Sequence, residues 1–145
     1  MKHYLSLIVL LPSLACAGEF WGSTTLGSFH TKRYQNLREQ NYGLGIEYHE
    51  SRQVLYLAGS YINSHDRRTV YALAGWTPID FGAIKVGMMA GVANGYPKMN
   101  NGRITPALAG LVRIEYEKLG MNLTLIPPRY KESPVTLGLQ LKFGF

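Results

Sequence analysis

The last eleven residues of the chain, VTLGLQLKFGF, alternate without a break between apolar side chains and small or polar ones. The apolar positions are Val135, Leu137, Leu139, Leu141, Phe143 and Phe145. A period of two residues indicates a β-strand whose two faces meet different surroundings. In a soluble sheet the polar face meets water. In a transmembrane barrel the apolar face meets lipid and the other face lines the lumen.

The N-terminus has the composition of a secretory signal. Lys2 and His3 precede the apolar run YLSLIVLLPSL, which leads into ACA at positions 15–17. We therefore expect residues 1–17 to be a cleaved signal peptide and residues 18–145 to form one domain. The run is too short to anchor the chain in a bilayer. Cys16 is the only cysteine, so its removal excludes disulfides and cysteine-based sites from the mature chain.

Turn signals divide the mature chain into eight segments of strand length. The predicted strands are 20–30, 41–49, 54–63, 69–77, 82–93, 104–116, 119–127 and 135–145. The connections between them are alternately long and tight. Short periplasmic turns and long external loops alternate in this way in outer-membrane barrels.

The sequence therefore predicts an all-β fold, an eight-stranded antiparallel transmembrane β-barrel of the outer-membrane type. A soluble lipocalin-like barrel is the alternative, but it needs polar outer faces, and the last segment has none. Barrel closure also removes the edge strands that an open sheet exposes. We expect a monomer in the outer membrane of a Gram-negative cell. Phe145 resembles the terminal aromatic residue that such barrels present to the outer-membrane assembly machinery.

The net charge of +6 lies mainly in the predicted outer loops. These loops carry Lys32, Arg33, Arg38, Arg67, Arg68, Lys98, Arg103, Arg129 and Lys131 against Glu39, Asp66 and Glu132. Arginine and lysine suit the phosphates of lipopolysaccharide, so we expect Arg67, Arg68, Arg103 and Arg129 to bind lipid phosphate. The alternative is that these charges only keep the loops solvated. An exported chain without a binding motif is not expected to bind nucleic acid.

The predicted lumen changes in character along the barrel. Near the periplasmic end it contains Glu47, Lys85, Arg113, Glu115 and Lys142, whose opposite charges would pair and plug the floor. Toward the outer end the inward set is predicted to be Gly43, Ala58, Ser60, Gly91, Ala93, Ala107 and Ala109. These small residues either leave room for an acyl chain or let a narrow barrel pack itself. Eight strands are too few for a water-filled pore.

One rim of the predicted barrel gathers groups that suit acyl transfer. His30 ends the first strand, and Ser64 lies in the second outer loop beside Asn63 and Asp66. A base, a hydroxyl and a polar group that orients the base are the parts of that reaction. The histidines show no metal-ligand spacing, and the sequence contains no phosphate-binding loop. We therefore expect no metal and no cofactor.

Several stretches resemble the lipid A palmitoyltransferase (PagP) family. They are VGMMAGVAN, PALAGLVRIEYEKLGMNLTLIPPRY, YLAGSYINS and the terminal LKFGF. The similarity spans most of residues 28–145. The stretches QNLREQNYGLG and NSHDRRTVY are still more similar to uncharacterised barrel proteins of bacteria and their phages.

The resemblance implies a barrel that moves an acyl chain from an outer-leaflet phospholipid to lipid A. The family's essential histidine then corresponds to His30 and its serine to Ser64. Its aspartate falls on Asn63, whose amide cannot carry the charge that stabilises a histidine cation, so Asp66 would have to substitute. Strand seams weakened by proline admit lipid sideways in the family. That role would fall here to Pro106, Pro127 and Pro128, although prolines also simply end strands.

Three functions remain open from the sequence. The first is a lipid A acyltransferase with His30 as general base and Ser64 as its hydroxyl partner. The second is a non-catalytic surface barrel, whose basic loops bind lipopolysaccharide or block a phage receptor. The third is a barrel that holds a small lipophile without chemistry.

Overall fold

The computed structural model describes residues 18–32 and 35–145, which form a closed barrel of eight antiparallel strands. The strands are β1 (Glu19–His30), β2 (Gln40–His49), β3 (Val54–Ile62), β4 (Arg68–Asp80), β5 (Ile84–Ala93), β6 (Thr105–Tyr116), β7 (Leu119–Ile126) and β8 (Thr136–Gly144). A 3₁₀ turn, Asn100–Gly102, lies between β5 and β6. In this part of the chain, no helix is long and apolar enough to cross a membrane. The predicted signal peptide and Arg33 lie outside the described residues.

The predicted eight-stranded antiparallel barrel is confirmed. Each predicted strand begins and ends within three residues of an observed one. Each strand pairs with its sequence neighbours, and β1 closes the barrel by pairing with β8. Segments 31–39, 63–67, 94–104 and 127–135 meet at one end, called the loop end below. Segments 50–53, 81–83 and 117–118 meet at the opposite end, called the turn end.

The outer surface of the barrel is a continuous apolar belt. Its middle is lined by exposed aliphatic side chains, of which Leu44 is 75% exposed and Ile46, Met88, Leu108 and Leu125 about half exposed. The belt also carries aromatic side chains toward the turn end: Phe20, Tyr56, Trp76, Phe81, Tyr116, Phe143 and Phe145. Monomeric soluble proteins rarely expose apolar patches this extensive. An apolar band with aromatic girdles is typical of barrels that sit in lipid.

A network of buried ion pairs fills the lumen toward the turn end. Glu115 contacts the ammonium groups of Lys85 at 3.0 Å and Lys142 at 2.6 Å, and the guanidinium of Arg113 at 2.8 Å. Lys142 also contacts Glu47 at 3.0 Å. The predicted pairing of these five residues is therefore confirmed, and the charged network, called the plug below, closes this half of the barrel.

The prediction for the face of β3 is wrong. Ala58 and Ser60 point outward, and Leu55, Leu57 and Tyr61 point into the lumen. Shifting a strand by one residue exchanges its faces. Both alternating sets of β3 contain aromatic and aliphatic residues, so the sequence pattern does not distinguish its inner face from its outer one.

The barrel wall is incomplete between β6 and β7 at the loop end. The last pair of this ladder is Gly110 with Leu125, so residues 105–109 of β6 have ladder partners on β5 alone. Pro127 and Pro128 follow the end of β7, where proline cannot donate to a ladder. The Arg129 guanidinium crosses this seam and donates to the carbonyl oxygen of Pro106.

Candidate functional site

His30 is buried at the loop end, where the last residue of β1 meets the first residue of β8. Its side chain is 3% exposed. Its Nδ1 lies 2.9 Å from Thr136 Oγ1, because the β1–β8 register places the two residues opposite each other. Its Nε2 lies 2.8 Å from Ser64 Oγ and 3.0 Å from Ser28 Oγ. The imidazole is thus surrounded by three hydroxyl groups.

The structure brings Ser64 to His30 through the loop between β3 and β4, residues 63–67. The Asn63 side-chain oxygen accepts from the backbone N–H groups of His65 at 2.9 Å and Arg67 at 3.2 Å. This loop also bonds to the loop between β1 and β2, because the backbone N–H of Arg38 donates to the Ser64 carbonyl at 3.1 Å. Backbone contacts therefore fix the position of Ser64.

Within residues 18–32 and 35–145, the hydrogen bonds of the Asn63 side chain go to groups other than the imidazole. Its fully buried amide donates to Thr69 Oγ1 at 3.0 Å and to the Gly95 carbonyl at 2.9 Å. An aspartate has no donor for that carbonyl, so the local structure explains why an asparagine occupies this position. Asn63 holds the loop that presents Ser64.

Asp66 lies on the solvent side of the same loop. Its carboxylate accepts from Arg38 Nη1 at 2.7 Å, and its side chain is 72% exposed. The structure therefore pairs Asp66 with an arginine and leaves Thr136 as the partner of the His30 Nδ1. Exposed ion pairs contribute little to stability, so the pair mainly links the two loops.

Below His30 and Ser64 lies an apolar cavity of about 160 Å³. Its walls come from side chains that face the lumen: Leu57, Tyr61, Leu73, Met89, Ala93, Ala107, Ala109 and Ile126. Its floor is the Gln140 amide, which donates to Thr25 Oγ1 and Tyr71 Oη, each at 3.2 Å. The plug lies beyond this floor. The arrangement places a polar centre at the mouth of an apolar chamber.

A larger side chain in the cavity wall tests the sequence-based expectation that the cavity has room for an acyl chain. Ala109→Phe adds a ring inside the cavity, because Ala109 faces the lumen and lines the wall. If acyl chains occupy the cavity, we expect the amount that co-purifies per barrel to fall by roughly tenfold, because the ring takes the volume that a chain would fill. Mass spectrometry of lipid extracted from purified protein measures this. Ala90→Phe, on the exposed face of β5, is the matched control and should retain the chains. Equal retention in both variants would contradict the cavity's role.

The predicted phosphate-binding arginines all lie at the loop end, and Arg129 lines the same cavity as His30. Arg67, Arg68 and Arg103 are exposed to solvent. Arg129 is half-buried over the β6–β7 seam. No group of histidine, cysteine, aspartate or glutamate in residues 18–32 and 35–145 is placed to hold a metal ion.

His65 is a second histidine at the cavity mouth. Its ring meets the Tyr96 ring edge-on, with 6.2 Å between centroids, and lines the cavity. Burial lowers the pKa of the His65 imidazole, and the charges of Lys98, His30 and Arg67 lower it further. Sequence analysis gave His65 no predicted role, because the histidines show no metal-ligand spacing.

Sequence reasoning missed three residues of the site: Thr136, Ser28 and Asn41. Thr136 and His30 are opposite each other in the ladder that closes the barrel. Ser28 shares a face of β1 with His30, two residues away, and this spacing was the available signal. Asn41 begins the buried face of β2 and contacts Ser28 through the β1–β2 junction.

Comparisons with solved structures support the fold alone. A chain from "De novo design of transmembrane beta-barrels" has a TM-score of 0.61 and 10% identity, and the match covers 88% of this chain and 95% of that one. The solution NMR structure of the de novo designed TMB2.3 has a TM-score of 0.58 and 14% identity, covering 87% and 90%. No protein-family model and no curated protein matches the chain.

Proposed function

We propose that the protein is an outer-membrane acyltransferase that moves an acyl chain from a phospholipid to lipid A. The observation that carries this proposal is the 2.8 Å contact between His30 Nε2 and Ser64 Oγ at the mouth of an apolar cavity. The resemblance of the sequence to the PagP family supports it independently. The exposed apolar belt supports a location in a bilayer, with the loop end at one head-group level.

The proposed reaction needs one base and one place for the acyl chain. A hydroxyl group of lipid A attacks the ester carbonyl of the phospholipid while His30 takes the hydroxyl proton. A new ester bond forms, the old ester C–O bond breaks, and the lysophospholipid oxygen leaves with the proton from His30. Ser64 holds the reacting groups by hydrogen bonding, and the cavity holds the acyl chain. The reaction consumes no cofactor.

The β6–β7 seam is the proposed entrance for lipid. Residues 105–109 lack a ladder partner on β7, and Pro127 and Pro128 keep the gap open. Arg129 spans the gap by its bond to Pro106, so lipid phosphate would compete for the same guanidinium. Arg67, Arg68 and Arg103 would bind lipid A phosphates at the loop end.

The experiment is a comparison of lipid A from cells with and without the protein, by mass spectrometry. We expect a lipid A species heavier by one acyl chain. Ser64→Ala should lower its amount by roughly tenfold or more, because the variant removes a hydrogen bond at the reacting centre. Ser60→Ala is the matched control, since Ser60 lies on β3, the strand that leads into the Ser64 loop, and faces outward. An unchanged lipid A profile in cells that contain the folded protein would refute the proposal.

A second candidate function is the binding of a lipid chain without chemistry. The observation that favours it is the partner of the His30 Nδ1, which is the hydroxyl of Thr136 and not a carboxylate. A hydroxyl stabilises an imidazolium less than a carboxylate does. In this case acyl chains co-purify with the barrel while the lipid A profile stays unchanged.

A further inference from the structure

We propose that Ser28 and Asn41 are positioning residues that hold the neutral His30 ring in the tautomer with its proton on Nε2. In this state the ring faces Ser64 as a hydrogen-bond donor. The ring must change to the tautomer with its proton on Nδ1 before Nε2 can accept a proton. The role in turnover rests on the proposed acyltransferase function, whereas the tautomer itself does not.

The orientation of the Asn41 side-chain amide is set by its contact with the end of β3. Asn41 is 3% exposed, and its side-chain nitrogen donates to the Ile62 carbonyl at 2.9 Å. A carbonyl oxygen accepts hydrogen bonds and does not donate them, so this contact fixes which end of the amide carries nitrogen. The Asn41 oxygen therefore faces Ser28.

The Ser28 hydroxyl has one hydrogen, which it donates in a hydrogen bond to the Asn41 side-chain oxygen. Ser28 Oγ then offers only lone pairs to His30 Nε2, which lies 3.0 Å away. The Arg38 carbonyl oxygen lies 3.4 Å from the same nitrogen and is also an acceptor only. Two acceptors at Nε2 favour a proton on that nitrogen.

The other side of the ring is compatible with this assignment. Thr136 Oγ1 lies 2.9 Å from Nδ1, and a hydroxyl can donate to an unprotonated ring nitrogen. The hydrogen bonds then run in one direction, from Thr136 to His30, Ser28, Asn41 and the Ile62 carbonyl. With the proton on Nδ1 instead, lone pairs would face each other between Nε2 and Ser28.

Among the described neighbours of Nε2, Ser64 can either donate a hydrogen bond to this nitrogen or accept one from it. In the proposed tautomer its oxygen accepts from Nε2–H at 2.8 Å, and its own hydrogen is directed elsewhere. Base catalysis through Nε2 needs the other tautomer, in which Nε2 is unprotonated and accepts a hydrogen bond. Ser28 and Asn41 therefore oppose the tautomer that the transfer reaction uses.

Nitrogen NMR of the imidazole rings tests the tautomer directly in the detergent-solubilised barrel, at a pH where His30 is neutral. The His30 signals are assigned by their loss in His30→Gln. We expect a pyrrole-type shift for Nε2 and a pyridine-type shift for Nδ1 in the unaltered protein. Ser28→Ala removes one acceptor and should move both shifts toward the other tautomer, whereas the outward-facing control Ser60→Ala should not. A pyrrole-type Nδ1 in the unaltered protein would overturn the assignment.

The same variants separate this inference from the proposed function. If the protein transfers acyl chains, Ser28→Ala should raise the rate by roughly fivefold, the effect of one lost neutral hydrogen bond. An unchanged or lower rate with a shifted tautomer would overturn the inferred role in turnover. A barrel with the predicted NMR shifts and no transfer in any variant would refute the acyltransferase and leave the tautomer assignment supported.

Discussion

His30→Ala should lower the rate of the proposed acyl transfer to lipid A by roughly 10²–10⁴-fold, the range that a general base contributes. In the proposed reaction the buried imidazole is the general base, and its Nε2 lies 2.8 Å from Ser64 Oγ at the cavity mouth. The measurement is the transfer of labelled acyl chains from phospholipid to lipid A by purified protein in mixed micelles.

Three controls make this result specific. The different gel mobilities of folded and unfolded barrels show whether the variant folds, and His30→Gln provides a second substitution that keeps polar atoms in the site. His65→Ala tests the other imidazole at the cavity mouth. Full activity in folded His30→Ala, or loss of activity in His65→Ala alone, would contradict the assignment of His30 as the base.

Glu115→Gln should lower the free energy of unfolding by about 3–5 kcal/mol. Glu115 contacts three cations, Lys85, Arg113 and Lys142, and Lys142 has no exposed side-chain surface. Without this carboxylate, Glu47 is the one acidic group of the plug that remains to balance three positive charges. Removing one partner of a buried ion network leaves charges uncompensated, which costs far more than the loss of a surface pair.

Urea unfolding in lipid vesicles, followed by tryptophan fluorescence, measures this change. Asp80→Asn is the control, because Asp80 pairs with the exposed Arg52 at the turn end. We expect the control to unfold at nearly the same urea concentration as the unaltered protein. If both variants lose equal stability, the plug is not what stabilises the turn half of the barrel.

The sequence predicts the strands well because a barrel in lipid needs a regular alternation on nearly every strand. Leu141 and Lys142 show how directly this works, since one is exposed on the belt and the other is buried in the plug. The alternation fails on β3, where Leu57 and Ala58 are both apolar and either could face the lumen. Local pattern determines a face only where the two sets of residues differ.

The site was predictable in its main pair and not in its supporting residues. The rim position of His30 and Ser64 follows from strand ends and loop order, and the structure brings them into contact. Thr136 lies 106 residues from His30 in sequence, so their contact depends on the exact register with which β8 closes on β1. The alternation indicates which face each residue occupies but leaves that register open. An asparagine stands at position 63, where the family resemblance implied an aspartate, for a local reason: four hydrogen bonds of the Asn63 side chain build the loop that carries Ser64.

Placement of the barrel in a membrane requires the apolar belt to lie in the hydrocarbon and the loop end to lie in water. Nitroxide labels on single cysteines, in a chain with Cys16 replaced by serine, test this in reconstituted bilayers. We expect labels at Leu44 and Leu141 to collide more with oxygen, which concentrates in lipid, than with a water-soluble nickel chelate. A label at Lys98, in the loop between β5 and β6, should show the reverse. If the nickel chelate reached Leu44 and Leu141 as readily as Lys98, the belt would face water and the membrane assignment would be wrong.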